Sequence, residues 1–87
     1  MTKFKNKTVL ITGGAAGIGK IMAHKILNQG ASKIILWDIN HENLEFTTAE
    51  LKGQGYDVYE YLVDVSDLDQ VKESANKVKN EVGIFNN

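Results

Sequence analysis

The sequence contains no cysteine and no proline among its 87 residues. Without cysteine the chain cannot form disulfide bonds or thiolate metal sites, and its redox compartment stays undetermined. No apolar run approaches the roughly 20 residues that span a bilayer. The lysines within residues 1–7 are not followed by the apolar core of a signal peptide. These absences favour a soluble, cytoplasmic protein with no membrane as partner.

Charge of either sign is also not in excess, because 10 basic and 11 acidic residues give a formal net charge of -1. This balance gives no electrostatic reason to expect a nucleic acid as partner. His24 and His41 stand apart from any cluster of metal-ligand residues, so we interpret both as surface residues and predict no metal site. The length suits a single domain, residues 1–87.

What the sequence does have is a regular alternation of strand-like and helix-like segments. Apolar and β-branched runs predict strands at 8–11, 34–37 and 58–63, and apolar periodicity predicts a helix at 18–29 that stops at Gly30. Two further helices are predicted after the N-cap candidates Asn40 and Ser66. Their predicted apolar positions are Leu44, Ala49 and Leu51, then Leu68, Val71, Ala75, Val78 and Val82.

The order of these segments predicts an α/β fold, a Rossmann-like βαβαβα half with a parallel sheet in the order 3-2-1. A short stub, residues 84–87, follows the last helix. In this arrangement the first strand-to-helix turn lies within the segment LITGGAAGIGK. A helix N-terminus attracts anions, and a tight turn that a phosphate must approach favours glycine, here Gly13, Gly17 and Gly19. The alternative is a tight turn that merely uses glycine.

Two carboxylates follow the next two strands and strengthen the binding interpretation. Asp38 lies 19 residues after Gly19 at the end of the second strand, where a carboxylate accepts hydrogen bonds from the adenosine ribose. Its charge would repel a 2′-phosphate, and Lys33 lies at the wrong end of the strand to compensate, so NAD is favoured over NADP. Asp64 ends the third strand. It either accepts from the adenine amino group, with Val65 lining the base, or caps the loop before the last helix.

These segments resemble the N-terminal part of the classical short-chain dehydrogenase/reductase family. Residues 12–19 match its TGxxxGIG turn, and residues 64–66 match the segment DV[ST] of its adenine pocket. Asp38 matches the acidic residue that indicates a preference for NAD in this family. The resemblance implies a Rossmann fold, NAD binding and, in the parent protein, hydride transfer between an alcohol and a carbonyl substrate. The predicted cofactor-binding residues are Gly13, Ala15, Ala16, Gly17, Ile18, Gly19, Asp38, Ile39, Asp64 and Val65.

The catalytic residues of that family are not found in this sequence. Tyr56, Tyr59 and Tyr61 are each followed four residues later by a residue other than lysine, so no YxxxK pair exists. Without such a pair no group transfers a proton to the carbonyl oxygen, and we predict that these residues alone are inactive. Residues 83–87 resemble the family's fourth strand in shortened form, and the role of the family's NNAG segment is not assigned to Asn86.

Three functions are compatible with this pattern. The favoured one is the NAD-binding segment of a longer alcohol/carbonyl oxidoreductase, without its catalytic and substrate-binding part. The alternatives are a non-catalytic dinucleotide-binding or regulatory module, and a structural or dimerising remnant. The substrate is not indicated, and self-association into a homo-oligomer is left open.

Overall fold

The computed structural model describes residues 5–13 and 17–82, without the side chain of Ile18. Residues 83–87, where the shortened fourth strand was predicted, lie outside this range. In the described part, strands and helices alternate along the chain, as the sequence predicts. They are β1 (Thr8–Thr12), α1 (Gly17–Asn28), β2 (Lys33–Asp38), α2 (His41–Gly53), β3 (Val58–Leu62) and α3 (Leu68–Glu81).

The strands form one parallel sheet in which β2 lies between β1 and β3, so the predicted order 3-2-1 is confirmed. The register pairs Thr8 with Lys33 and Ile34 with Val58. Because all three strands run the same way, their carboxyl ends meet at one edge of the sheet. That edge carries the end of β1, Asp38 and the residues after β3.

The two faces of the sheet are covered by different helices. Alternate residues of β2 point to opposite faces, so Ile34 and Leu36 pack with α1 and α2, while Ile35 and Trp37 pack with α3 through Val78. Residues 34–36 have no exposed surface, as expected of a strand covered on both faces. Strand β1 is less covered than β2, since among its residues only Ile11 is buried.

Helices α1 and α2 end in the same way. Gly30 has a φ of 96°, its N–H donates to the Leu27 carbonyl, and Ala31 N–H donates to the Ile26 carbonyl, which is a Schellman motif. Gly55, with a φ of 92°, repeats it after α2. The predicted stop at Gly30 is therefore confirmed.

Several predicted details are wrong at the level of single residues. The N-cap of α3 is Asp67 rather than Ser66, and Ala49 and Ala75 are exposed, not part of the core. Helix α2 instead buries Thr47 and Thr48, and α3 buries Ser74 beside Val71 and Val78. Leu68 is 64% exposed, because it lies in the first turn of α3 at the carboxyl edge of the sheet.

Within residues 5–13 and 17–82, no helix combines the length and apolar character needed to cross a membrane.

Candidate functional site

The turn between β1 and α1 requires glycine for conformational reasons. Gly13 and Gly17 have φ values of 66° and 59°, a region that side chains disfavour. Among the described residues, a Cβ placed on Gly13 or Gly17 would meet no atom within 4 Å, so backbone conformation rather than lack of space requires glycine there. Gly13 N–H also donates to the Trp37 carbonyl at 2.7 Å, which ties the turn to the end of β2 beside Asp38.

The first turn of α1 suits an anion electrostatically. It begins at Gly17 and carries no acidic residue, so no carboxylate within this turn offsets the partial positive charge of the helix N-terminus. Gly19, in the same turn, lines a groove of about 410 Å³ that runs along β1 and continues to Met22. The predicted residues Ala15 and Ala16 and the side chain of Ile18 lie outside the described part of the chain.

Asp38 is the last residue of β2 and is half-buried. Its Oδ1 accepts a hydrogen bond from the N–H of Asn40 at 3.0 Å, and Asn40 in turn caps α2 through Asn43 N–H at 2.9 Å. The start of α2 therefore fixes the Asp38 carboxylate at the carboxyl edge of the sheet, beside the glycine turn.

Asp64 follows β3 and is held by the loop that it begins. Its Oδ1 accepts from the Ser66 hydroxyl at 2.6 Å and from the Ser66 N–H at 2.9 Å. These hydrogen bonds, the hydroxyl's first, lower the pKa of the Asp64 carboxyl below its ordinary value of 3.8, against a smaller opposing effect of burial. In the part of the chain that the structure describes, Oδ2 of Asp64 accepts no hydrogen bond. One carboxylate oxygen thus organises the loop, as one of the two interpretations of Asp64 predicts.

These residues meet in a cleft of about 150 Å³ at the carboxyl edge of the sheet. Two carboxylates, of Asp38 and Asp64, are flanked there by apolar side chains, of which Ile39 is 68% and Val65 57% exposed. Exposed apolar side chains beside carboxylate acceptors suit a ligand that combines a flat ring with hydroxyl or amino groups that donate hydrogen bonds. The cleft is lined by Gly13, Asp38, Ile39, Val63, Asp64 and Val65.

The structure thus brings five of the ten predicted site residues together in one cleft. Gly17 begins α1, and Gly19 lines the groove along β1 rather than the cleft. Val63 is a lining residue that the sequence analysis did not single out. Its position as the last residue of the predicted third strand was the available signal, because strand ends form this edge.

A parallel sheet with a glycine turn after β1, an acidic residue at the end of β2 and another after β3 defines a nucleotide-binding α/β protein of the Rossmann type. The family model described as short chain dehydrogenase matches residues 7–86. The chain therefore belongs to the short-chain dehydrogenase family.

Individual relatives agree with this assignment. Estradiol 17-beta-dehydrogenase 11 of Macaca fascicularis is 47% identical over 75 residues, which cover 86% of this chain and 25% of that protein. The chain thus spans about a quarter of the length of this relative. NAD⁺-bound xylitol dehydrogenase is 31% identical with a TM-score of 0.85, over 93% of this chain and 31% of that one. L-sorbose reductase of Gluconobacter frateurii, complexed with NADPH and L-sorbose, is 28% identical with a TM-score of 0.87. The match covers 97% of this chain and 32% of that one.

Proposed function

We propose that this chain is the NAD-binding segment of an enzyme that interconverts an alcohol and a carbonyl compound by hydride transfer. The observation that carries the proposal is the cleft in which Asp38 and Asp64 lie with Ile39 and Val65 beside the glycine turn. Membership of the short-chain dehydrogenase family supports the reaction class. The comparisons offer no support for the alternative of a non-catalytic module.

The residues of the cleft fit the adenosine half of a dinucleotide. In the proposed complex Asp38 accepts hydrogen bonds from the ribose hydroxyls, and Asp64 accepts from the adenine amino group through Oδ2. Ile39 and Val65 contact the base. The pyrophosphate lies at the N-terminal turn of α1, where backbone N–H groups face an anion. When bound, the cofactor supplies the hydride acceptor or donor, and this segment binds and orients it.

The charge of Asp38 and the contacts of Lys20 support NAD over NADP. NAD⁺ and NADPH forms both occur among the similar structures, so the choice rests on this chain's own charges. The Asp38 carboxylate would repel a 2′-phosphate. Lys20, in the first turn of α1, does not offset this charge, because its ammonium contacts Glu50 at 3.2 Å and lies 5.0 Å from the centre of the Phe46 ring. A hydrogen bond from Lys20 is the main reason why the pKa of Glu50 lies below its ordinary value.

Calorimetric titration of the chain with NAD and NADP tests this proposal. We expect NAD to bind more tightly, and Asp38→Ala to weaken NAD binding by about tenfold or more, because a charge-assisted hydrogen bond is lost. Asp57→Ala is the matched control, since Asp57 is an exposed aspartate that precedes β3 at the opposite edge of the sheet. Equal affinity for both dinucleotides would refute the role of Asp38, and folded protein that binds neither would refute the cofactor site.

The proposed reaction needs groups that this sequence does not contain. We propose that the serine and the YxxxK pair of the family lie in a part of the parent protein outside these residues, and that this chain alone turns over no alcohol. Measurable alcohol oxidation by the chain with NAD would contradict this proposal. Cytoplasmic location stays a prediction from the sequence, which cell fractionation of the parent protein would test. Self-association into a homo-oligomer stays open, and sedimentation of the parent protein would decide it.

A further inference from the structure

A single side chain, that of Gln70, bridges the loop between β3 and α3. Its Oε1 accepts from the backbone N–H of Asp64 at 2.9 Å, and its Nε2 donates to Oδ2 of Asp67 at 3.1 Å. A backbone N–H only donates and a carboxylate only accepts, so the orientation of the amide is fixed by its partners. A carboxylate in its place would lack the donor, and an ammonium would lack the acceptor.

This arrangement departs from the usual capping box. Gln70 is the third residue after the N-cap Asp67, and in a capping box its side chain would accept from the N-cap's own N–H. Here the Asp67 N–H donates to the Asp64 carbonyl at 2.9 Å instead. Gln70 therefore reaches three residues further back, to Asp64.

The helix end does not need the Gln70 side chain as a cap. Oδ1 of Asp67 already accepts from the N–H groups of Asp69 at 3.0 Å and Gln70 at 3.3 Å. The contact of the Gln70 amide with Asp64 therefore acts on the segment that lines the cleft. Ser66 fixes the carboxylate of that segment, and Gln70 fixes its backbone.

We propose that Gln70 is a positioning residue for recognition of the adenine base, an inference that rests on the proposed function. Gln70 does not line the cleft itself, whereas Asp64 and Val65 do. The Asp64 backbone sets where Oδ2 and the Val65 side chain lie. The hydrogen bond from the Asp64 N–H to Gln70, the anchor of this segment, therefore controls the acceptor that faces the adenine amino group. Loss of the anchor weakens recognition of that amino group more than it weakens binding of the rest of the dinucleotide.

The experiment compares NAD with nicotinamide hypoxanthine dinucleotide, in which a carbonyl oxygen replaces the adenine amino group. We expect the wild-type chain to prefer NAD by about tenfold, the value of one good hydrogen bond. Gln70→Glu, which accepts from Asp64 but repels Asp67, should reduce this preference to about twofold. Asn76→Asp is the matched control: it adds the same charge at an exposed position of α3 away from the loop, and should leave the preference unchanged.

A second variant and a stability measurement separate positioning from folding. Gln70→Met has a similar shape and neither hydrogen-bonding group, so it should lose the preference while circular dichroism and thermal unfolding report a folded chain. An equal weakening of both dinucleotides, or an unchanged preference in either variant, overturns the role of Gln70 and leaves the proposed function standing. If the folded wild-type chain binds neither dinucleotide, the proposed function fails and this inference fails with it.

Discussion

Among single residues, Tyr61 has the most strongly shifted ionisation in the described part of the chain. Its hydroxyl donates to Oε1 of Glu81 at 2.7 Å, which joins β3 to the last turn of α3. Burial, followed by this hydrogen bond and the charge of Glu81, raises the pKa of Tyr61 from 10.0 to about 12. The folded state therefore favours the neutral phenol, and its contribution to stability is complete below pH 10 and is lost as the pH rises toward about 12.

We predict that Tyr61→Phe lowers the free energy of unfolding by about 1 kcal/mol at neutral pH, because a hydrogen bond to a carboxylate is lost. The variant should also show a weaker loss of stability above pH 10 than the wild type. Urea unfolding across this pH range measures both effects. Tyr56→Phe removes a hydroxyl that donates to the neutral amide of Asn28 at 3.1 Å, and should retain the alkaline slope that Tyr61 causes. Identical slopes for wild type and Tyr61→Phe would disprove the assignment.

At the scale of elements, three glycines at helix ends separate two causes of glycine preference. Gly30 has a left-handed φ, and an added Cβ would lie 3.2 Å from the Cα of Lys5. Gly55 has the same conformation, but an added Cβ there would meet no atom of the described residues within 4 Å. Gly53 has neither constraint and belongs to α2.

We therefore predict a ranking of the alanine variants by their free energy of unfolding. Gly55→Ala should lose about 1 kcal/mol from the left-handed conformation. Gly30→Ala should lose more than that, because a backbone must also move. Gly53→Ala should gain up to about 1 kcal/mol, since alanine is the better helix former. Chemical denaturation of the three variants measures the ranking, and a Gly30 variant no worse than the Gly55 variant would contradict the close approach.

The elements also indicate where sequence reasoning succeeds and where it stops. Asp38 was predictable because a carboxylate that ends a buried, β-branched run must lie at the carboxyl edge of a parallel sheet. Thr47 and Thr48 were missed because a pattern of apolar and polar residues treats threonine as exposed, whereas Thr48 is buried and its hydroxyl donates to Glu60 at 3.2 Å.

The choice of N-cap for α3 shows a different limit. Ser66 and Asp67 are adjacent and both are good N-caps, so local preference does not decide between them. In the structure the Ser66 hydroxyl donates to Asp64, and Asp67 caps the helix. Gln70 was not predicted as a site residue, because local sequence preference does not indicate its hydrogen-bond partner either. Its partner is a backbone N–H, whose position depends on how the loop folds back from β3.

At the scale of the whole molecule, the placement of the helices determines where the sheet can grow. Helices α1 and α2 pack on one face of β2 and α3 packs on the other. Connections between parallel strands are right-handed, so a change of face reverses the direction in which strands are added. A strand that follows α3 is therefore expected beside β1, and β3 remains an edge.

Amide hydrogen exchange of the chain tests this arrangement. We predict the slowest exchange in β2, because it pairs with a strand on each side and residues 34–36 have no exposed surface. The amides of β3 that point away from β2 should exchange rapidly. Protection of the outward amides of β1 would indicate a further strand at the edge where the right-handed connection predicts one. Protected outward amides on β3, or β2 amides that exchange as fast as those of its neighbours, would contradict the sheet order and the direction of growth derived from it.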